Sequence, residues 1–158
     1  MYKSPNRLPE ESRSRVIETL SSRLADGVDL YTQVKVAHWN IKGPQFVALH
    51  PLFDQFAQDL LVENDTIAER IATLGGKAYG TARYVSKTSR IPEYPREATR
   101  DLDHVGLLAE RFETYLDGLR DSRTVAEKVS DADTVDVLTS FIEQFEKHAW
   151  FLRATLDS

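Results

Sequence analysis

Along most of the chain, apolar residues recur at alternating intervals of three and four, the spacing of one face of a long helix. Ile17, Leu20, Leu24, Gly27, Tyr31, Val34, His38 and Ile41 make a first stripe, with a glycine and a histidine among its members, and Gly43-Pro44 ends it. Phe46, Leu49, Phe53, Phe56, Leu60, Glu63 and Ile67, then Leu74 after a slip, make a second, stopped by Gly75-Gly76. Pro51 sits near its start. Proline is free of cost only in a first turn, so this helix either begins close to Ala48 or is kinked there. A third stripe holds Leu102, Val105, Ala109, Phe112, Leu116 and Leu119, with no breaker before Ser130. A fourth holds Val135, Leu138, Ile142, Phe145, Ala149, Leu152 and Leu156. It is entered through Ser130-Asp131-Ala132-Asp133, which resembles a capping box. No β-type alternation is sustained, and no internal repeat occurs.

The stripes predict four helices of about 25–32 residues, each about 40–48 Å long. Between the second and third lie residues 75–96, and 22 residues is long for a structureless loop in a compact domain. Gly80 to Ser89 has room for a short helix, which Pro92 and Pro95 then break. The other two connections are short, so the helices they join run antiparallel. An all-α four-helix bundle with one long crossover is the ferritin-like arrangement, although a purely structural bundle would show the same pattern. Residues 1–9 carry Pro5, Pro9, Lys3 and Arg7 without apolar periodicity, and are expected to be a mobile tail ahead of one domain over residues 10–158.

Composition narrows the chemistry. With no cysteine among 158 residues, disulfide scaffolds, thiolate metal sites and thiol catalysis are excluded. A net charge of −5 makes the whole chain a poor polyanion binder, so any nucleic-acid contact must come from a local patch. The longest run without a formal charge, Gly43 to Phe53, is eleven residues, and a membrane helix needs about 20. The first fifteen residues lack the apolar segment of a secretory signal, and a cytoplasmic location is expected.

The second helix carries His50, Asp54, Asp65 and Glu69. With His50 at zero, the three carboxylates fall at about 40°, 60° and 100°, so one imidazole and three carboxylates share a face. Asp65 and Glu69 are one turn apart, and a cation would relieve their repulsion. Mixed nitrogen and oxygen donors suit Fe, Zn or Mn. Solvation of the carboxylates, with Arg70 neutralising Glu69 and His38 packed as a core residue, is the structural alternative. Glu-x-x-His, which intrachain di-iron bundles place on two helices, does not occur: Lys35, Val47, Asp101 and Phe145 stand three residues before the four histidines. A bound metal would then draw ligands from separate chains.

The run HWNIKGPQFVALHPLFDQFAQDLLVENDTIAERIATLGG, from His38 to Gly76, resembles the Dps family, the DNA-protection-during-starvation mini-ferritins. His-Trp-Asn, a second His twelve residues after the first, Asp four later, Asp-x-x-x-Glu-Arg and Gly-Gly are all in place, and the likeness continues through DADTVDVLT and KHAWFLRATL. The resemblance implies a dodecamer of ferritin-like bundles around a hollow centre, with ferroxidase sites at two-fold interfaces. In that scheme His38 and His50 come from one chain and Asp54, Asp65 and Glu69 from its partner. Asp65, Glu69 and His38 would hold the first iron, and His50 and Asp54 would help hold a weaker second. Fe(II) would be oxidised by hydrogen peroxide and stored as ferric mineral, with Zn or Mn able to substitute. Trp39 would be an electron sink or an interface residue, and Trp150 a packing residue. Asp133 and Asp136 would line acidic pores for Fe(II) entry, with Asp131 and Asp121 as lesser candidates. His104 and His148 match no ferroxidase position and are expected at the surface or an interface. DNA coating, with nucleoid association, is the alternative function. It would run through the tail, where Lys3, Arg7, Arg13 and Arg15 outnumber Glu10 and Glu11.

Overall fold

The structure is a computed structural model and describes residues 1–157; Ser158, the last residue of the expected domain, lies outside them. Five helices follow in order: α1 (Glu10–Asn40), α2 (Phe46–Thr73), α3 (Ala82–Thr88), α4 (Asp101–Lys128) and α5 (Ala132–Leu156). α1 packs on α2 and α4 on α5 as two hairpins, which meet through α1 and α4, while α3 lies against α1. This is an all-α ferritin-like four-helix bundle with a crossover that carries a short helix. Among the described residues the only β-type pairing is one bridge, Lys42 to Arg100.

The core is built from the faces the stripes mark, turned slightly. On α1 the fully buried apolar side chains are Val16, Leu20, Ala25, Leu30, Val34 and Ala37; Ile17, Tyr31 and His38 sit half-buried at the flank. Aromatic rings fill the centre, with Phe56 to Phe112, Phe112 to Phe145 and Tyr115 to Phe145 at centroid distances of 5.3, 5.2 and 5.3 Å. α2 runs unbroken through Pro51 from a start at Phe46, so the proline is accommodated inside the second turn. Asp131 rather than Ser130 caps α5, its carboxylate accepting from Thr134 N at 3.3 Å and Thr134 Oγ1 at 2.6 Å.

The crossover is pinned to the bundle by buried polar groups. Asp26, fully buried, accepts from Arg90 N at 2.8 Å and pairs with Arg23 at 3.2 Å. Arg111 donates to Gln33 Oε1 and to the Glu93 carbonyl, both at 2.7 Å. Tyr94 OH lies 2.6 Å from His104 Nδ1. His104 and His148 are therefore not surface residues: His104 is fully buried, and His148 is 6% exposed with Nε2 at 2.8 Å from Asp59. Their partners come from the crossover and from α2. Trp150, expected to pack, is 61% exposed and touches only its neighbour Phe151 among the rings.

Residues 1–9, expected to form a mobile tail, hold no helix or strand, and their first residues bond to the end of α2. Tyr2 N donates to the Gly75 carbonyl at 2.7 Å and Ser4 Oγ to the Thr73 carbonyl at 2.6 Å.

Candidate metal centre

The turn between α1 and α2 sets two imidazoles face to face. Gly43 has φ of +148°, open to glycine but strained for other residues, and a Cβ there would collide with the Asp101 carboxylate. That carboxylate accepts from Gln45 N at 2.8 Å, Lys42 N donates to the Thr99 carbonyl and Asp101 N to the Lys42 carbonyl, so the turn is tied to the α4 entry. His38, in the last turn of α1, and His50, in the second of α2, consequently stack with centroids 3.8 Å apart.

Their hydrogen bonds decide which nitrogen is free. His38 Nδ1 lies 2.8 Å from the His50 carbonyl, and His50 Nδ1 lies 2.9 Å from the His38 carbonyl. A carbonyl only accepts, so both Nδ1 atoms must carry the proton. In each neutral ring Nε2 then keeps its lone pair, the form in which imidazole binds metal. Phe46 packs on the outer side of His50 at 4.9 Å.

Asp54 stands one turn beyond His50 and feels both imidazoles of its own chain. Lys35, one turn before His38, donates to Asp54 Oδ1 at 2.7 Å and holds that carboxyl below its ordinary value. Sequence reasoning missed Lys35; its position three residues before His38, on the same face, was the available signal.

Asp65 and Glu69 are exposed on α2 and make no ion pair among the described residues. Arg70 does not neutralise Glu69. Its Nε donates to Thr134 Oγ1 at 2.9 Å and its Nη2 to Asp131 Oδ1 at 2.7 Å, tying α2 to the start of α5. Fifteen residues of helix separate His50 from Asp65, about 22 Å. One chain cannot close these donors on a common ion. Accordingly, among the described residues no three such side chains come together as a site. Exposed apolar side chains stand near both groups: Trp39 is 68% exposed and Val47 83%, and Val62 beside the carboxylates is 67% exposed. At the other end of α2, Asp133 and Asp136 are exposed, while Asp131 is buried and spent on its cap and Arg70.

Residues 17–158 match the ferritin-like domain family. A DNA protection during starvation protein of Agrobacterium fabrum is 39% identical over 153 residues, covering 97% of this chain and 94% of that protein. The chain belongs to the Dps family. Among solved structures, Mycobacterium smegmatis Dps superposes with a TM-score of 0.94 at 28% identity, covering 100% of this chain and 95% of that one. A Dps protein of Vibrio cholerae O1 superposes with a TM-score of 0.91 at 26% identity, covering 99% of each chain. It is described as a member of a broad superfamily of ferritin-like diiron-carboxylate proteins. No helix among the described residues is long and apolar enough to cross a membrane.

Proposed function

We propose that this Dps-family chain is a ferroxidase and iron-storage mini-ferritin whose di-iron site forms between two copies. The observation that carries the reading is the split donor set. Two Nε2 lone pairs and Asp54 lie at one end of α2. Two unpaired carboxylates lie about 22 Å along the same helix, on a face lined with exposed apolar residues. A second copy related by a two-fold axis brings each half of the set to the other's missing half, giving two equivalent sites per pair. His38 with Asp65 and Glu69 of the other copy would hold one Fe(II). His50 and Asp54 would help hold a second, weaker one, since Lys35 must first give up Asp54.

Two Fe(II) bound together supply two electrons to one hydrogen peroxide. The O–O bond breaks, two protons are taken up, two waters form, and both irons leave as Fe(III). A single Fe(II) supplies only one electron and releases a hydroxyl radical instead. Trp39, adjoining His38, would cover the site or take an excess oxidising equivalent. Asp133 and Asp136 would draw Fe(II) to the pores of a twelve-copy shell, and the ferric product would be stored inside.

The test is an anaerobic Fe(II) titration followed by peroxide, with ferric absorbance and residual peroxide both read. About two irons per peroxide, abolished by His38→Ala or Asp65→Ala, is expected; no protein-dependent oxidation by an intact assembly overturns the proposal. The sharing of the site has its own check. A His38→Ala/His50→Ala chain and an Asp65→Ala/Glu69→Ala chain should each be inactive, yet mixed pairs hold one complete site. Reassembly of the mixture should restore part of the activity.

A further inference from the structure

Asp101 opens α4 and is 6% exposed, yet it makes no ion pair among the described residues. A carboxylate removed from water without a counter-ion is costly unless its oxygens are otherwise occupied. One oxygen serves its own helix, accepting from Leu102 N at 3.0 Å. The other crosses to the α1–α2 turn, accepting from Gln45 N at 2.8 Å. Backbone bonds run beside it: Lys42 N donates to the Thr99 carbonyl and Asp101 N to the Lys42 carbonyl, both at 2.9 Å. The α4 entry is itself anchored one turn on, where Nδ1 of the fully buried His104 lies 2.6 Å from Tyr94 OH.

The destination of the Lys42 N–H matters for the metal centre. Had α1 continued, that N–H would bond to the His38 carbonyl. Because Thr99 takes it, the His38 carbonyl stays among the acceptors that a helix end leaves open. His50 Nδ1 fills it at 2.9 Å, and that bond puts the His50 proton on Nδ1 and the lone pair on Nε2. Turn, tautomer and α4 entry are thus one connected set of hydrogen bonds, in which Asp101 is the side-chain link to α4.

We propose that Asp101 is a positioning residue for the metal centre: by tying the α1–α2 turn to the α4 entry it keeps the His38 carbonyl open, and so fixes the tautomer and direction of His50. The inference rests on the reading of His38 and His50 as iron ligands and adds to it a residue outside the donor set. Groups that orient a ligand imidazole in this way act on metal affinity through it. The weaker metal position, which His50 serves, is therefore the one that depends on Asp101. A carboxylate that only favoured the start of α4 through its charge would be matched by the exposed Asp103, two residues on.

The experiment compares the full-length parent with Asp101→Ala, Asp101→Asn and Asp103→Ala, each checked for size and unfolding midpoint. Magic-angle-spinning nitrogen NMR of histidine-labelled, metal-free protein reads which ring nitrogen carries the proton, with His50→Gln assigning the resonance. Calorimetry with Zn(II) as probe then reads the metal steps. In Asp101→Ala the His50 signal should change from a single Nδ1–H form to a mixture of tautomers. The weaker Zn(II) step should lose about tenfold in affinity, the lower end for groups that orient a ligand. Asp101→Asn keeps an oxygen able to accept from Gln45 N and should stay near the parent in both readings, as should Asp103→Ala. Should Asp101→Ala fail to fold, Asp101→Ser, whose hydroxyl is one bond shorter than the carboxylate arm, is read in its place with the same expectation. A parent-like tautomer without the carboxylate, or equal losses in Asp101→Ala and Asp103→Ala, overturns the proposal. So does an Asp101→Asn chain as impaired as Asp101→Ala, since charge and not hydrogen-bond acceptance would then be the cause. The tautomer is read without metal, so a parent that binds no Zn(II) overturns the iron reading while the NMR still decides the role of Asp101.

Discussion

Lys35 shows how one side chain gates a donor. Its ammonium holds Asp54 at 2.7 Å, so a metal that recruits Asp54 must displace it. Lys35→Met keeps most of the stem and removes the charge. It is expected to tighten the weaker of the two metal steps by about tenfold, about 1.4 kcal/mol, in anaerobic calorimetry with Zn(II) as probe. Other single groups set the pH range. Burial pushes the Glu63 carboxyl from 4.5 up to about 9, and its Oε1 has no partner. The folded chain thus keeps a proton that the unfolded chain releases. The resulting contribution is full below about pH 4.5 and is lost as pH rises toward 9. Burial acts oppositely on His104 and His148, lowering both from 6.5, so their contribution is present above that value and is lost as pH falls below it. Denaturant midpoints should therefore decline on both sides of neutrality, and Glu63→Gln should flatten the alkaline side. The stacked pair His38 and His50 was legible in the sequence because its spacing is itself the motif. Lys35, His104 and His148 were not, because what defines them is a partner distant in the chain: Asp54, Tyr94 and Asp59.

At the scale of elements, the stripes located each helix of the bundle to within a few residues, and chain length alone argued for a helix in the crossover. They misjudged the facing of α1. A three-four pattern does not distinguish the flank that meets the core from the flank left beside it. Ile17, Tyr31 and His38 fit the period as well as Val16, Leu30 and Ala37 do. For His38 this displacement is what leaves the imidazole within reach of solvent and metal. The α1–α2 turn fixes the two imidazoles in register, so Gly43→Ala should both destabilise and disarm. Its strained φ and its collision with the Asp101 carboxylate should cost about 1–3 kcal/mol in urea unfolding. Zn(II) affinity should fall in the same protein, while the helix content read by circular dichroism stays near the parent's.

For the molecule as a whole, the exposed apolar residues near both halves of the donor set matter more than any internal contact. Val62 is 67% exposed beside Asp65, and Val47 is 83% exposed beside His50. Val62→Asp should leave the chain helical and at nearly the parent's unfolding midpoint. It should also lower the mass seen in light scattering and remove peroxide-dependent iron oxidation. Within the sequence these residues were indistinguishable from ordinary surface valines. An unpaired apolar side chain acquires meaning only once the backbone shows which donors flank it.

The 22 Å between one chain's imidazoles and its own carboxylates also has a kinetic meaning. On the proposed reading, a newly made chain, alone, would hold only incomplete sites and could not run the two-electron reaction. The rate per chain should rise with protein concentration until pairing saturates and be flat beyond that point, so dilution alone would act as an off switch. Iron oxidation would thus be confined to assemblies that already have somewhere to put the product.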